Sequence, residues 1–71
     1  MLKPFDNHSN LSRKEMEVLS ALSKGSLYKE IAAEQHITIN TVKKHCKNIY
    51  RKLEVRNRTE ASNMFLRNKT A

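Results

Sequence analysis

Apolar residues recur at helical spacing in four separate stretches of this 71-residue chain. The most regular is Thr38–Leu53, TINTVKKHCKNIYRKL. At 100° per residue, Ile39, Val42, Cys46, Ile49 and Leu53 fall within roughly 80° of one another. Asn40, Lys43, Lys44, Lys47 and Arg51 occupy a separate arc about 100° wide. One face of this helix can therefore pack on a core while the other carries cations to solvent.

Local signals mark the other three elements. Ser12-Arg13-Lys14-Glu15 has the spacing of a capping box, with Leu11 and Met16 flanking it as a hydrophobic staple. Val18, Leu19 and Leu22 follow on one side, together with Glu15. The chain's single glycine, Gly25, comes directly after Lys24, where a left-handed stop is expected. The first helix is thus predicted from Ser12 to Lys24. A second runs from Leu27 to Gln35, with Ile31 and the small Ala32 inward. His36-Ile37-Thr38 breaks the pattern, and Thr38 is a good cap for the third helix. Glu54-Val55-Arg56 connects onward, with Val55 directed to the core. Asn57-Arg58-Thr59-Glu60 repeats the capping-box spacing with Asn as cap. The fourth helix then carries Ala61, Met64, Phe65 and Leu66 as far as Leu66 or Arg67.

The expected organisation is an N-terminal tail or linker over residues 1–10, one domain over 11–67, and fraying over 68–71. Phe5 is a candidate to tuck onto the domain, and His8 reads as an exposed loop residue. The chain reads either as a complete small protein or as the C-terminal piece of a larger one, and the linker-like first ten residues lean towards a piece. The fold class is all-α. Two helices joined by a short turn, the second amphipathic and basic, form the helix-turn-helix pattern. A plain three-helix bundle has the same spacing.

Charge narrows the choice. Lys and Arg number 14 against 7 Asp and Glu, for a net charge of +7. Seven of those cations, Lys43, Lys44, Lys47, Arg51, Lys52, Arg56 and Arg58, lie in sixteen consecutive residues with one acid, Glu54. Such clustering is the footprint of a polyanion binder, set against the plainer reading of a solvated helix face. A helix with this face suits the major groove of duplex DNA, about 12 Å wide. Membrane binding would need bulky apolar residues beside the cations, and here the apolar stripe is required for the core. No apolar run approaches the ~18 residues that span a bilayer, and the N-terminus has no signal-peptide pattern. One cysteine allows no intrachain disulfide, so a reducing, cytoplasmic setting is the default.

Catalytic and metal chemistry find no support. A chain this short buries only about 60% of its unfolded surface, which leaves no room for both a core and a large pocket. Cys46 lies on the apolar arc and reads as a small hydrophobe. His45 and Cys46 are adjacent on one helix and do not face each other. His36, His45 and Cys46 lack zinc-ligand spacing. Glu15 and Glu17 point apart, as a cap and a surface residue. No enzyme, metal or cofactor is expected.

Taken together, these residues resemble the LuxR/GerE-type helix-turn-helix domain of bacterial transcription regulators. The resemblance runs from Leu11 to Ala61. It includes Leu11-Ser12, Glu15-x-Glu17-Val18-Leu19, Gly25 and Lys29-Glu30-Ile31-Ala32. It continues through Ile37-Thr38, Thr41-Val42-Lys43-x-His45 and Asn48-Ile49, and closes with Lys52-Leu53-x-Val55 and Asn57-Arg58-x-Glu60-Ala61. It implies a four-helix fold whose third helix is the recognition helix, with base contacts from Lys43, Lys44 and Lys47. Lysine can donate to guanine O6 and N7. Lys29, Thr38, Asn40, Thr41, Asn48, Arg51 and Lys52 are then candidates for the DNA backbone. It also implies a homodimer through helix 4, using Ala61, Met64 and Phe65, and an output domain of a response regulator, with RNA polymerase as a further partner. The alternative is a protein-interaction module whose basic face meets an acidic partner. Leu27 and Tyr28 depart from a frequent Ser or Thr and Asn, so the cap of helix 2 is expected at Ser26 or lost. Lys14 stands where Arg is usual. Glu54 replaces a common Gly, which predicts a less relaxed left-handed turn.

Overall fold

The computed structural model describes residues 11–70, with side chains through Arg67. The readings for residues 1–10, including Phe5 and His8, and for Ala71 fall outside the described residues. Those described form four helices and no strand: α1 (Arg13–Ser23), α2 (Tyr28–Gln35), α3 (Ile39–Leu53) and α4 (Arg58–Thr70). The all-α fold expected from the periodicity is the fold observed.

Each helix begins where a short side chain or a nearby carboxylate satisfies free backbone donors. Ser12 Oγ accepts the Glu15 amide at 3.1 Å, and Glu15 Oε1 accepts the Ser12 amide at 3.0 Å, a complete capping box. Thr38 Oγ1 accepts the Thr41 amide at 3.1 Å, and the two hydroxyls lie 2.9 Å apart. Asn57 Oδ1 accepts the Glu60 amide at 2.9 Å. There the return bond goes one residue further back than expected, from the Arg56 amide to Glu60 Oε1 at 2.7 Å. The N-cap of α2 is Leu27, which has no side-chain acceptor. Ser26 does not take over as cap. The Glu30 carboxylate accepts the Leu27 amide at 2.7 Å, so only the acidic half of a capping box remains.

The first three helices end alike. Amides of Ser26, Ile37 and Val55 reach back five residues to the carbonyls of Ala21, Ala32 and Tyr50, at 3.1, 3.0 and 2.9 Å. The preceding residue is left-handed in every case: Gly25 at φ 89°, His36 at φ 59° and Glu54 at φ 58°. This is the Schellman termination, in which glycine is favoured because it has no Cβ. Only one of the three sites has it. His36 and Glu54 hold a conformation that costs a residue with a Cβ roughly 1–2 kcal/mol.

Between these ends, α3 packs on all three other helices. Val42, Cys46, Ile49 and Leu53 are buried along it at intervals of four, three and four residues. They meet Val18, Leu19 and Leu22 of α1, Ile31 and Ala32 of α2, and Ala61 of α4 in one core. Ile37 and Val55, from the two turns, are half-buried against the same core. Ile39 departs from the predicted arc: it is 43% exposed. Side chains of a helix lean towards its N-terminus, so one in the first turn leans off the end of the packed surface. Helix α4 also runs further than expected, through Thr70 rather than to Leu66 or Arg67.

Candidate nucleic-acid interface

The first three turns of α3 are anchored by their buried side and by the Thr38 cap. Their opposite side is open: Asn40, Lys43, Lys44, Lys47 and Arg51 are all exposed. The core residues of α3 thus aim the cations outward. Arg51 Nη2 donates to Asn48 Oδ1 at 3.3 Å, which leaves the Asn48 amide group to donate elsewhere. Thr38 is exposed and Thr41 half-buried, with both hydroxyls occupied in the cap. Lys29 is exposed on α2. Ile39 adds an exposed apolar side chain at the tip of α3, unforeseen because periodicity alone placed it inward.

Lys52 does not belong to this row. Its ammonium lies 2.8 Å from Glu15 Oε1, in an ion pair between the last turn of α3 and the first turn of α1. Glu15 is only 5% exposed. Burial pushes its carboxyl up, but the Lys52 ammonium, the Ser12 amide and the field of His45 together hold it below the usual carboxylate value. The Lys52 ammonium, expected to face the DNA backbone, is held by Glu15 in this fold. Glu15 likewise does more than cap.

Arg58 is a second inward cation. Its Nη2 donates to the Leu22 carbonyl at 3.2 Å and to the Ser26 carbonyl, at the end of α1 and in the turn that follows. Sequence gives no local sign of this, because the partners lie 36 and 32 residues away.

Beside it, Tyr28, Cys46 and Tyr50 bring their polar ends together between α2 and α3. Burial pushes the Cys46 thiol up against the opposing pull of both tyrosines and Arg58, so it stays protonated near neutral pH. Both phenols are also pushed up, chiefly by burial. Tyr28, a departure from the common pattern, thus serves the interior.

On α4, Ala61 is fully buried in the core of its own chain. Its side chain contributes to that core rather than to the exposed face of the helix. Met64 and Phe65 are half-buried against the core, and Leu66 is 44% exposed. With Val55 and Asn63, Met64 and Leu66 line a shallow groove. No helix among the described residues is long and apolar enough to cross a membrane.

Comparison with known proteins follows the same outline. Residues 9–65 match the family described as bacterial regulatory proteins, luxR family. The response regulator protein VraR of Staphylococcus aureus (strain Mu3 / ATCC 700698) is 48% identical over 61 residues, and that of Staphylococcus epidermidis (strain ATCC 35984) matches equally. These alignments cover 86% of this chain and 29% of each relative, so the chain spans under a third of their length. No solved structure matches significantly. With a match that runs from before α1 into α4, the chain belongs to the luxR family of bacterial regulatory proteins.

Proposed function

We propose that this domain binds double-stranded DNA sequence-specifically and serves as the output domain of a response regulator, working as a symmetric pair. The exposed row of Lys43, Lys44 and Lys47 on a helix whose other side is core carries the reading. A single α-helix fits the major groove, and lysines at its centre reach guanine O6 and N7. Arg51, Lys29, Asn40 and Asn48, with Thr38 and Thr41 at the helix start, surround that row and suit phosphate contacts, which set register without reading sequence. Cations meeting phosphates release counterions, so affinity should fall steeply with salt.

Pairing through Met64, Phe65 and Leu66 of α4 doubles the bases read, over half-sites about one helical turn apart. The kinship with response regulators supports placing the domain downstream of a signal-receiving part.

Selection of bound duplexes from a random-sequence pool at moderate salt tests all of this together. Enrichment of an inverted repeat is the expected result. Binding without enrichment reduces the domain to a general polyanion binder. Absence of binding, or affinity insensitive to salt, overturns the reading in favour of an acidic protein partner for the basic face.

A further inference from the structure

Residues 43–58 hold seven cations, and two of them turn inward. Lys52 meets Glu15 at 2.8 Å, and the same carboxylate oxygen also accepts the Ser12 amide. Arg58 donates to the carbonyls of Leu22 and Ser26. These partners sit at opposite ends of one element: Glu15 in the first turn of α1, Leu22 in its last turn and Ser26 just beyond. Lys52 belongs to the last turn of α3 and Arg58 to the first of α4. One helix therefore grips the cation-bearing helix at one end and α4 at the other.

A buried ion pair is weak evidence for stability, because desolvating two charges offsets most of their attraction. What such contacts supply is direction. A planar guanidinium bridging two carbonyls constrains orientation as well as distance. A carboxylate already held by a backbone amide offers the lysine one fixed point. We infer that Lys52 and Arg58 are positioning residues, which set α3 and α4 on α1 and make no phosphate contact. This rests on the DNA-binding reading above.

Three variants of the full chain separate the roles: Glu15→Gln, Arg58→Lys and Arg51→Ala. Each is titrated across a salt series with two duplexes, one that the parent enriches from the random pool and a scrambled duplex of equal length. Glu15→Gln removes no cation and abolishes the ion pair with Lys52. Arg58→Lys keeps its charge, so a phosphate contact survives, but its ammonium sits on a shorter, more flexible stem and cannot hold both carbonyls as the single Nη2 does. Both variants should lower the ratio of the two affinities roughly two- to thirtyfold, the range for residues acting through others. The slope of log affinity on log salt should stay at the parent's value. Arg51→Ala should instead flatten that slope by about 0.9, the signature of one lost phosphate contact. Loss of folded protein cannot mimic the first result, because an unfolded fraction lowers both apparent affinities by one factor.

A steeper slope and tighter binding to both duplexes in Glu15→Gln would show Lys52 reaching phosphate once released, and would overturn the inference. So would discrimination equal to the parent's in both variants. A parent that binds neither duplex, or both alike, overturns the DNA-binding reading itself and this inference with it.

Discussion

Lys43, Lys44 and Lys47 on one side, and Lys52 and Arg58 on the other, have the same charge and come from the same basic run. The first three are exposed on the middle of α3. The other two point back into the protein, one to a buried carboxylate and one to helix-end carbonyls. The difference lies in what stands opposite. Lys43 is exposed, and hydration is the best state for an exposed ammonium. Near Lys52 and Arg58 the packing of α1 presents a carboxylate and helix-end carbonyls with room for a further donor. Clustered charge in a sequence therefore does not map directly onto a charged surface. Part of it is consumed in holding the surface in place.

Removing the common support should break both groups at once. Ile49 is fully buried on α3, between the outward and inward cations. Ile49→Ala should destabilise the fold by about 2–5 kcal/mol, read from urea denaturation at neutral pH. A smaller loss would mean that the core closes around the gap.

The outward group can be tested alone. Lys43→Ala and Lys47→Ala should each cost about 1–3 kcal/mol of affinity for the selected duplex and relax base preference. Their urea midpoints should match the parent's, because neither side chain supports the core. Unchanged base preference would take them out of the readout.

Acid should weaken the inward group selectively. The Glu15 carboxyl titrates below its ordinary value of 4.5 in the folded chain. Its contribution is therefore complete above the unfolded pKa and is lost as pH falls through the lower, folded one. Melting temperatures of the parent and Glu15→Gln should converge as pH drops below about 4.5. A constant gap down to pH 3 would deny the ion pair that role.

The smallest effect concerns the turn between the two inward cations. Glu54 is left-handed at φ 58° without the glycine that suits such a site. Glu54→Gly relieves the Cβ strain but loosens the unfolded chain, so a net gain of about 0.5–1 kcal/mol is expected. A loss of stability would show that the Glu54 side chain makes a contact of greater worth.

Much of this was legible in the chain itself, because it is written in short-range pattern. Ser12 with Glu15, Thr38 and Asn57 announce helix starts through bonds that span three residues. Gly25 announces a stop. The buried row Val42, Cys46, Ile49 and Leu53 follows from the period of the helix, and so does the outward aim of Lys43, Lys44 and Lys47. What sequence alone determined was thus the four helices, nearly all their ends and the two faces of α3. Ile39, Ala61, Lys52 and Arg58 were decided only by tertiary structure. Ile39 is exposed because the core stops short of the first turn, and Ala61 is buried because α4 presses it inward. Lys52 and Arg58 find partners 37, 36 and 32 residues away, and no local period encodes which end of α1 arrives beside them. Periodicity fixes the direction of a side chain on its own helix, while its partner depends on how the helices are stacked.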